Sequence, residues 1–130
     1  MTTAIITNTT FRIILLAWVT LNIVAGLYIL TMDFDLISLG SLAINSAILF
    51  CYFTKSLYLK QAVKIGAIVL LAPSLFALLP AVALGLLYGM GMIWKYIPLL
   101  VIMPLVGFYL YKGSGRYIRL TESNGNILEV

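Results

Sequence analysis

Long stretches without a single charged side chain divide this 130-residue sequence. Residues 13–32 form a run of twenty uncharged positions, residues 36–54 a run of nineteen and residues 65–94 a run of thirty. A helix of about 20 apolar residues is about 30 Å long, which matches the hydrocarbon core of a bilayer. Each of the first two runs can therefore cross a membrane once, whereas the third is too long for a single crossing.

The composition indicates the same environment. Hydrophobic residues make up 63% of the chain and charged residues only 9%, whereas soluble domains are about half apolar and about a quarter charged. Because a small globule leaves much of its surface exposed, a water-soluble fold of this length could not cover so many apolar side chains. The partner that the composition implies is the lipid bilayer. The first run shows no cleavage site typical of a signal peptide, so we expect it to remain as a membrane helix.

The predicted fold class is all-α, a polytopic integral membrane protein built as a four-helix transmembrane bundle. We place a turn at Tyr88-Gly89-Met90-Gly91, because glycines favour turns, and this divides the longest run. The fourth helix is short but can be extended by Lys95 and Lys112, whose long side chains reach the interface. The predicted helices, all within a transmembrane domain of residues 1–112, cover about residues 12–32, 36–55, 64–87 and 95–112.

The distribution of Lys and Arg predicts the orientation of the bundle. If the N-terminus is cytoplasmic, the outer side holds only Lys95, and the inner side holds Arg12, Lys55, Lys60, Lys64, Lys112, Arg116 and Arg119. An excess of Lys and Arg is typical of the cytoplasmic side. We therefore expect the chain to lie in the inner membrane of a cell with both termini in the cytoplasm. Lys55, Lys60 and Lys64 should lie at the membrane interface.

Residues 113–130 form the predicted cytoplasmic tail. Gly113-Ser114-Gly115 is expected to be a flexible joint, and Asn124-Gly125 is typical of the turn of a β-hairpin. Because a hairpin of two strands alone is marginally stable in water, a disordered tail and an ordered hairpin remain alternatives.

Small and polar residues share particular faces of the predicted helices. Membrane helices associate through close packing of small residues and through occasional polar contacts. The predicted packing or partner-binding residues are Asn22, Ala25 and Gly26 of the first helix, two opposite stripes of the second helix (Ser38, Ser41 and Asn45; Gly40, Ala43 and Ala47), and Ala77 and Ala81 of the third. A second helix with contact surfaces on both sides should lie between two neighbours.

Asn22 and Asn45 each lie about halfway along a predicted helix. An unpaired amide facing lipid costs several kcal/mol, roughly, so both side chains should point inward. Two interpretations follow. The amides bind each other or nearby backbone carbonyls as packing contacts, which we favour, or they line a path for a ligand or an ion.

The missing residue types exclude several kinds of chemistry. Histidine is absent and Cys51 is the only cysteine, so we expect no metal, haem or other cofactor. No general base accompanies Ser38, Ser41 or Ser74, and hydrolytic catalysis needs one. The predicted helix cores hold no Asp, Glu, Lys, Arg or His. Proton-coupled transport requires such a group inside the membrane to carry the proton. We therefore expect that the protein is not an enzyme. We also expect no nucleic-acid partner, since the cations lie at the ends of apolar runs, as they do in membrane proteins.

These observations favour a small non-catalytic protein that binds another membrane protein, either as an accessory or assembly subunit or as an immunity-type protein. An alternative is a self-associating, homo-oligomeric channel or uncoupled small-solute facilitator, lined by Asn22, Ser38, Ser41, Asn45 and Tyr52. A third hypothesis is a protein that permeabilises the membrane.

Overall fold

The computed structural model describes residues 2–89, 91, 94–95, 97–122 and 124–128, and it consists of four long helices with a small sheet at one end. The helices are α1 (Thr9–Met32), α2 (Leu36–Phe53), α3 (Leu59–Tyr88) and α4 (Ile97–Tyr117). The strands are β1 (Thr3–Ile6), β2 (Ile118–Thr121) and β3 (Ile127–Leu128). All four helices are long and apolar enough to cross a membrane, which confirms the predicted helical class and its four candidate membrane-spanning helices.

The helices pack mainly with their neighbours in the chain, so that α2 lies between α1 and α3, and α3 lies between α2 and α4. Glycines mark two of these contacts. A Cβ on Gly66 of α3 would lie 2.7 Å from Cδ1 of Ile48 on α2. A Cβ on Gly107 of α4 would lie 2.9 Å from Cγ of Leu71 on α3. Because real Cβ contacts are longer, the missing side chains allow the helices to approach closely.

The small sheet joins the two ends of the chain. β1 pairs antiparallel with β2, and β2 pairs antiparallel with β3, with Thr3 opposite Thr121 and Leu120 opposite Leu128. Three strands are more stable than the two-stranded hairpin alone. The amide of Ala4 also donates to the carbonyl of Lys55 at 3.0 Å. The N-terminal segment, the C-terminal segment and the α2–α3 connection therefore lie at the same end of the bundle, which we call the sheet end.

Helix α4 continues through Gly113-Ser114-Gly115, which were expected to be a flexible joint. Gly113 and Ser114 are both buried, and the hydroxyl of Ser114 donates to the carbonyl of Tyr111 at 2.7 Å. The ring of Phe11 packs directly on Gly113. Because this contact buries a large aromatic side chain, it more than offsets the low helix propensity of the two glycines. The helix consequently ends at Tyr117 rather than near residue 112.

The buried side chains are concentrated in the half of the bundle next to the sheet. The buried hydrophobic residues are Ala4, Phe11, Leu15, Val19, Ile48, Leu59, Val63, Ala67, Leu110 and Ile118. In the other half, which we call the open end and which includes the α1–α2 connection, the buried residues among those described are Gly26, Ser74 and Gly85. Outward-facing side chains such as Phe76 and Leu86 are about three-quarters exposed, at 76% each, as expected where lipid surrounds the helices.

Candidate partner-binding surface and interior polar cavity

The outer side of α2 carries a group of small residues that no other helix covers. Gly40, Ala43, Ser46 and Ala47, here called the small-residue face, are all exposed. Their spacing of three, six and seven residues from Gly40 places them on one side of a helix, over about 10 Å of its length. A Cβ on Gly40 would have no other heavy atom within 4 Å. This side of α2 therefore makes no contact with α1 or α3 at Gly40.

Bulky apolar side chains flank the small-residue face at both ends. Leu36 and Leu39 lie towards the open end, and Phe50 and Phe53 lie towards the sheet end, all of them exposed. The surface therefore has a shallow depression over the small residues, bounded at both ends by large side chains. Small residues at such a position allow the backbone of a second helix to come close. The geometry suits a crossing helix whose own large side chains pack over Gly40, Ala43 and Ala47.

The other predicted packing residues have different surroundings. Gly26 is buried and faces α2, where its Cβ would lie 3.8 Å from Cβ of Leu42. The hydroxyl of Ser38 donates to Oδ2 of Asp35 at 3.2 Å near the N-terminus of α2, and the carbonyl oxygen of Ser38 lies at the α1–α2 contact, 3.9 Å from a Cβ on Gly26. The remaining predicted residues of this group lie on outer helix surfaces, with Ala25 and Ala77 exposed and Ala81 half-buried.

An interior cavity of about 80 Å³ contains the two asparagines that were predicted to point inward. Asn22 of α1, with Ser41 and Asn45 of α2, supplies its polar lining, and apolar residues such as Trp18 and Ile48 supply much of the rest. Since one water molecule needs about 10–15 Å³ of the space open to the centre of a water-sized sphere, the cavity is large enough for water.

Each asparagine amide donates within its own helix. Nδ2 of Asn22 lies 2.8 Å from the carbonyl oxygen of Trp18, and Nδ2 of Asn45 lies 2.8 Å from the carbonyl oxygen of Ser41. Nδ2 of Asn45 is also 3.3 Å from Oγ of Ser41. Among the residues that the structure describes, the two amides are not hydrogen-bonded to each other. Both amides line one cavity, and each donates to the backbone carbonyl four residues earlier in its own helix.

The three interface lysines do not form one patch of equivalent cations. Nζ of Lys64 lies 5.9 Å from the ring centroid of Tyr111, a cation–π distance that links α3 to α4. Lys60 is half-buried near the start of α3. Lys55 is exposed in the α2–α3 connection and has a φ of 50°, in the left-handed region that non-glycine residues rarely adopt.

Several residues of these surfaces were not identified from the sequence. Ser46 belongs to the small-residue face, and its spacing of three from Ala43 was the available signal. Arg12 and β1 form a groove with Lys55 and α2. The groove was not predicted, because a four-residue strand has too short a pattern to indicate that β1 pairs with β2. Within the described parts of the chain, no three Cys, Asp or Glu side chains are placed to hold a metal ion.

Comparisons of this chain with family models, with curated proteins and with solved structures return no match.

Proposed function

We propose that this chain is a non-catalytic membrane subunit that binds a transmembrane helix of another membrane protein through the small-residue face of α2. One observation carries the proposal. Although α2 lies between α1 and α3, it exposes its smallest side chains, Gly40, Ala43 and Ala47, between raised apolar flanks. Lipid tails are as apolar as leucine, so helices in a membrane associate through close packing of this kind.

The distribution of buried residues supports the same proposal. The buried hydrophobic side chains lie towards the sheet end, whereas the described residues of the open half of α2 are all exposed or half-buried. Gly40 and Ala43 belong to this half. A partner helix that crosses α2 at these residues would add packing contacts in the half of the bundle where the four helices bury few side chains. An accessory or assembly subunit and an immunity-type protein would both use such a contact.

In the proposed orientation, the chain lies in the inner membrane of a cell and its sheet end faces the cytoplasm. The sheet brings the two terminal segments and the α2–α3 connection together. Seven of the eight Lys and Arg residues belong to segments at or next to this end, and only Lys95 lies in the connection between α3 and α4. The positive-inside rule supports a cytoplasmic sheet end.

The test compares Ala43→Leu with a matched control, Ala83→Leu. Both alanines are exposed on apolar helices, α2 and α3, but only Ala43 belongs to the small-residue face. Each variant carries an affinity tag, is expressed in its native host and is extracted in mild detergent. Quantitative mass spectrometry then measures the molar ratio of each co-purified membrane protein to the tagged chain, and thermal unfolding checks that both variants fold.

We expect that another membrane protein co-purifies in a near-stoichiometric amount with the unsubstituted chain and with the Ala83→Leu variant. Its recovery should fall by about tenfold with Ala43→Leu, which corresponds to about 1.4 kcal/mol of binding free energy. A partner that is retained equally by Ala43→Leu, or lost equally from both variants, would contradict the proposed contact surface. Recovery of the chain without any stoichiometric partner would contradict the function itself.

The polar cavity favours a second candidate, a homo-oligomeric channel or uncoupled facilitator. Asn22, Ser41 and Asn45 give the bundle interior a polar lining without an ionisable group. Purified protein in liposomes should then pass water or a small neutral solute, and Asn45→Leu should reduce the flux because it removes an amide from the lining. Equal flux through liposomes with and without the protein would exclude this candidate.

A further inference from the structure

A groove of about 420 Å³ lies at the sheet end, between β1 and the end of α2. Ala4 and Ile6 of β1 form part of one wall, and Tyr52 and Phe53 of α2 form part of another. Among the described residues that line it, the charged side chains are Arg12 and Lys55, and none is a carboxylate. The groove is therefore positively charged and partly apolar.

The free edge of β1 adds a hydrogen-bond donor to this groove. The amide of Thr7 donates to the carbonyl of Tyr117 at 2.9 Å, which fixes the alternation of hydrogen bonds along β1. Alternate residues of an edge strand direct their backbone groups to opposite sides. Ala4 and Ile6 therefore direct their amides away from β2, and the Ala4 amide donates to the Lys55 carbonyl at 3.0 Å. The Ile6 amide has no backbone acceptor among the described residues.

The same hydrogen bond positions Lys55. Its carbonyl accepts from Ala4, and its backbone has a φ of 50° in the short α2–α3 connection. Arg12 lies on the first turn of α1, which begins at Thr9. Two cations and the Ile6 amide, which has no acceptor among the described residues, thus come from three separate segments to one groove. Guanidinium, ammonium and backbone amide groups are the donors with which proteins bind phosphate oxygens.

The groove lies at the boundary of the predicted hydrocarbon region. Arg12 directly precedes the uncharged run of residues 13–32, and Lys55 directly follows the run of residues 36–54. This is the level at which lipid phosphates lie. Phe53, next to the cations, is 75% exposed. An apolar ring beside two cations matches a ligand that has both a phosphate and a hydrocarbon chain.

We propose that this groove is a specific site for one anionic phospholipid. The phosphate binds between Arg12, Lys55 and the Ile6 amide, and an acyl chain packs along Phe53. A lipid with a net negative headgroup is preferred to a zwitterionic one, because the described lining residues supply two positive charges and no carboxylate that would attract a positive headgroup charge.

The test is native mass spectrometry of the full chain in a neutral detergent. The protein is titrated with phosphatidylglycerol or with phosphatidylcholine of the same acyl chains, and the fraction of protein carrying one lipid gives an apparent affinity. We expect phosphatidylglycerol to bind about tenfold more tightly than phosphatidylcholine. The double variant Arg12→Gln with Lys55→Gln should lose this preference. The control, Lys95→Gln with Lys112→Gln, removes the same charge outside the groove and should keep it.

Three results would overturn the proposal. Equal affinities for the two lipids would show that the groove has no preference for a negative headgroup. An equal loss in the control variant would show general attraction to a cationic protein. Displacement of phosphatidylglycerol by millimolar inorganic phosphate would assign the groove to a soluble anion instead of a lipid. All four substituted residues (Arg12, Lys55, Lys95 and Lys112) are exposed, so we expect both double variants to fold. The single variant Arg12→Gln should lose part of the preference, which gives a second, independent measurement.

Discussion

The ring of Phe11, near the start of α1, occupies the space that a side chain on Gly113, near the end of α4, would need. Phe11 is completely buried, and its ring centroid lies 5.8 Å from that of Tyr109 and 5.5 Å from that of Tyr117. Aromatic pairs at these separations are mutually stabilising. The contact joins the first and last helices next to the sheet.

Gly113→Ala should therefore destabilise the protein. Its Cβ would overlap the Phe11 ring, and overpacking of a filled site costs about 1–3 kcal/mol. The matched control is Gly115→Ala in the same helix, because a Cβ there meets no other heavy atom within 4 Å. Unfolding in mixed micelles with increasing denaturing detergent should show a lower midpoint for Gly113→Ala and an unchanged or higher midpoint for Gly115→Ala. Equal midpoints would contradict the packing of Phe11 on Gly113.

Lys55→Gly should be more stable than Lys55→Ala by about 1 kcal/mol. Both changes remove the same ammonium group, but only glycine adopts a φ of 50° without steric cost. The comparison isolates the backbone, and it should be made in neutral detergent without added lipid. If Lys55→Ala were as stable as Lys55→Gly, residue 55 would not have a left-handed backbone.

Asn22→Ala and Asn45→Ala should have nearly additive effects on the free energy of unfolding, since alanine adds no bulk to the cavity that both residues line. Each amide donates to a carbonyl of its own helix, so removing one leaves the hydrogen bond of the other intact. A double-mutant cycle should give a coupling energy within about 0.3 kcal/mol of zero, whereas a polar pair between membrane helices averages about 0.6 kcal/mol. A larger coupling would contradict this expectation, because it would show that the two sites interact across the cavity.

Cysteine labelling should place the two ends of the bundle on opposite sides of the membrane. In a Cys51→Ser background, Phe34→Cys in the α1–α2 connection should react with an impermeant maleimide added to intact cells. Asn124→Cys in the turn between β2 and β3 should react only after the membrane is permeabilised. Phe34 and Asn124 are both exposed, so access of the reagent depends on the side of the membrane. The reverse pattern would place the sheet end outside.

The four membrane helices could be predicted because their signal is local. A run such as residues 13–32 has the length and the lack of charge that a crossing requires, whichever helices surround it. The ends of the helices were harder to predict. Gly113 and Gly115 are poor helix formers, yet α4 continues through them because Phe11, about a hundred residues earlier in the chain, packs on Gly113.

The candidate binding surfaces show the same division. Periodicity placed Gly40, Ala43 and Ala47 on one side of α2, with Ser41 and Asn45 on the other. It could not tell which side other helices would cover. In the structure, Ser41 and Asn45 line the interior cavity, while Gly40, Ala43 and Ala47 remain exposed. The groove of Arg12 and Lys55 depends on a pairing of β1 with β2 that lies beyond any local pattern.

Consecutive residues alone indicate that this chain forms four helices long and apolar enough to cross a membrane. Backbone hydrogen bonding within a helix and the transfer of its side chains into lipid depend only on consecutive residues. The tertiary structure decided which small residues pack inside and which face outward, and it joined Thr3–Ile6 to Ile118–Thr121. Those outcomes depend on shape complementarity between segments far apart in the chain, because a contact forms only where both surfaces fit.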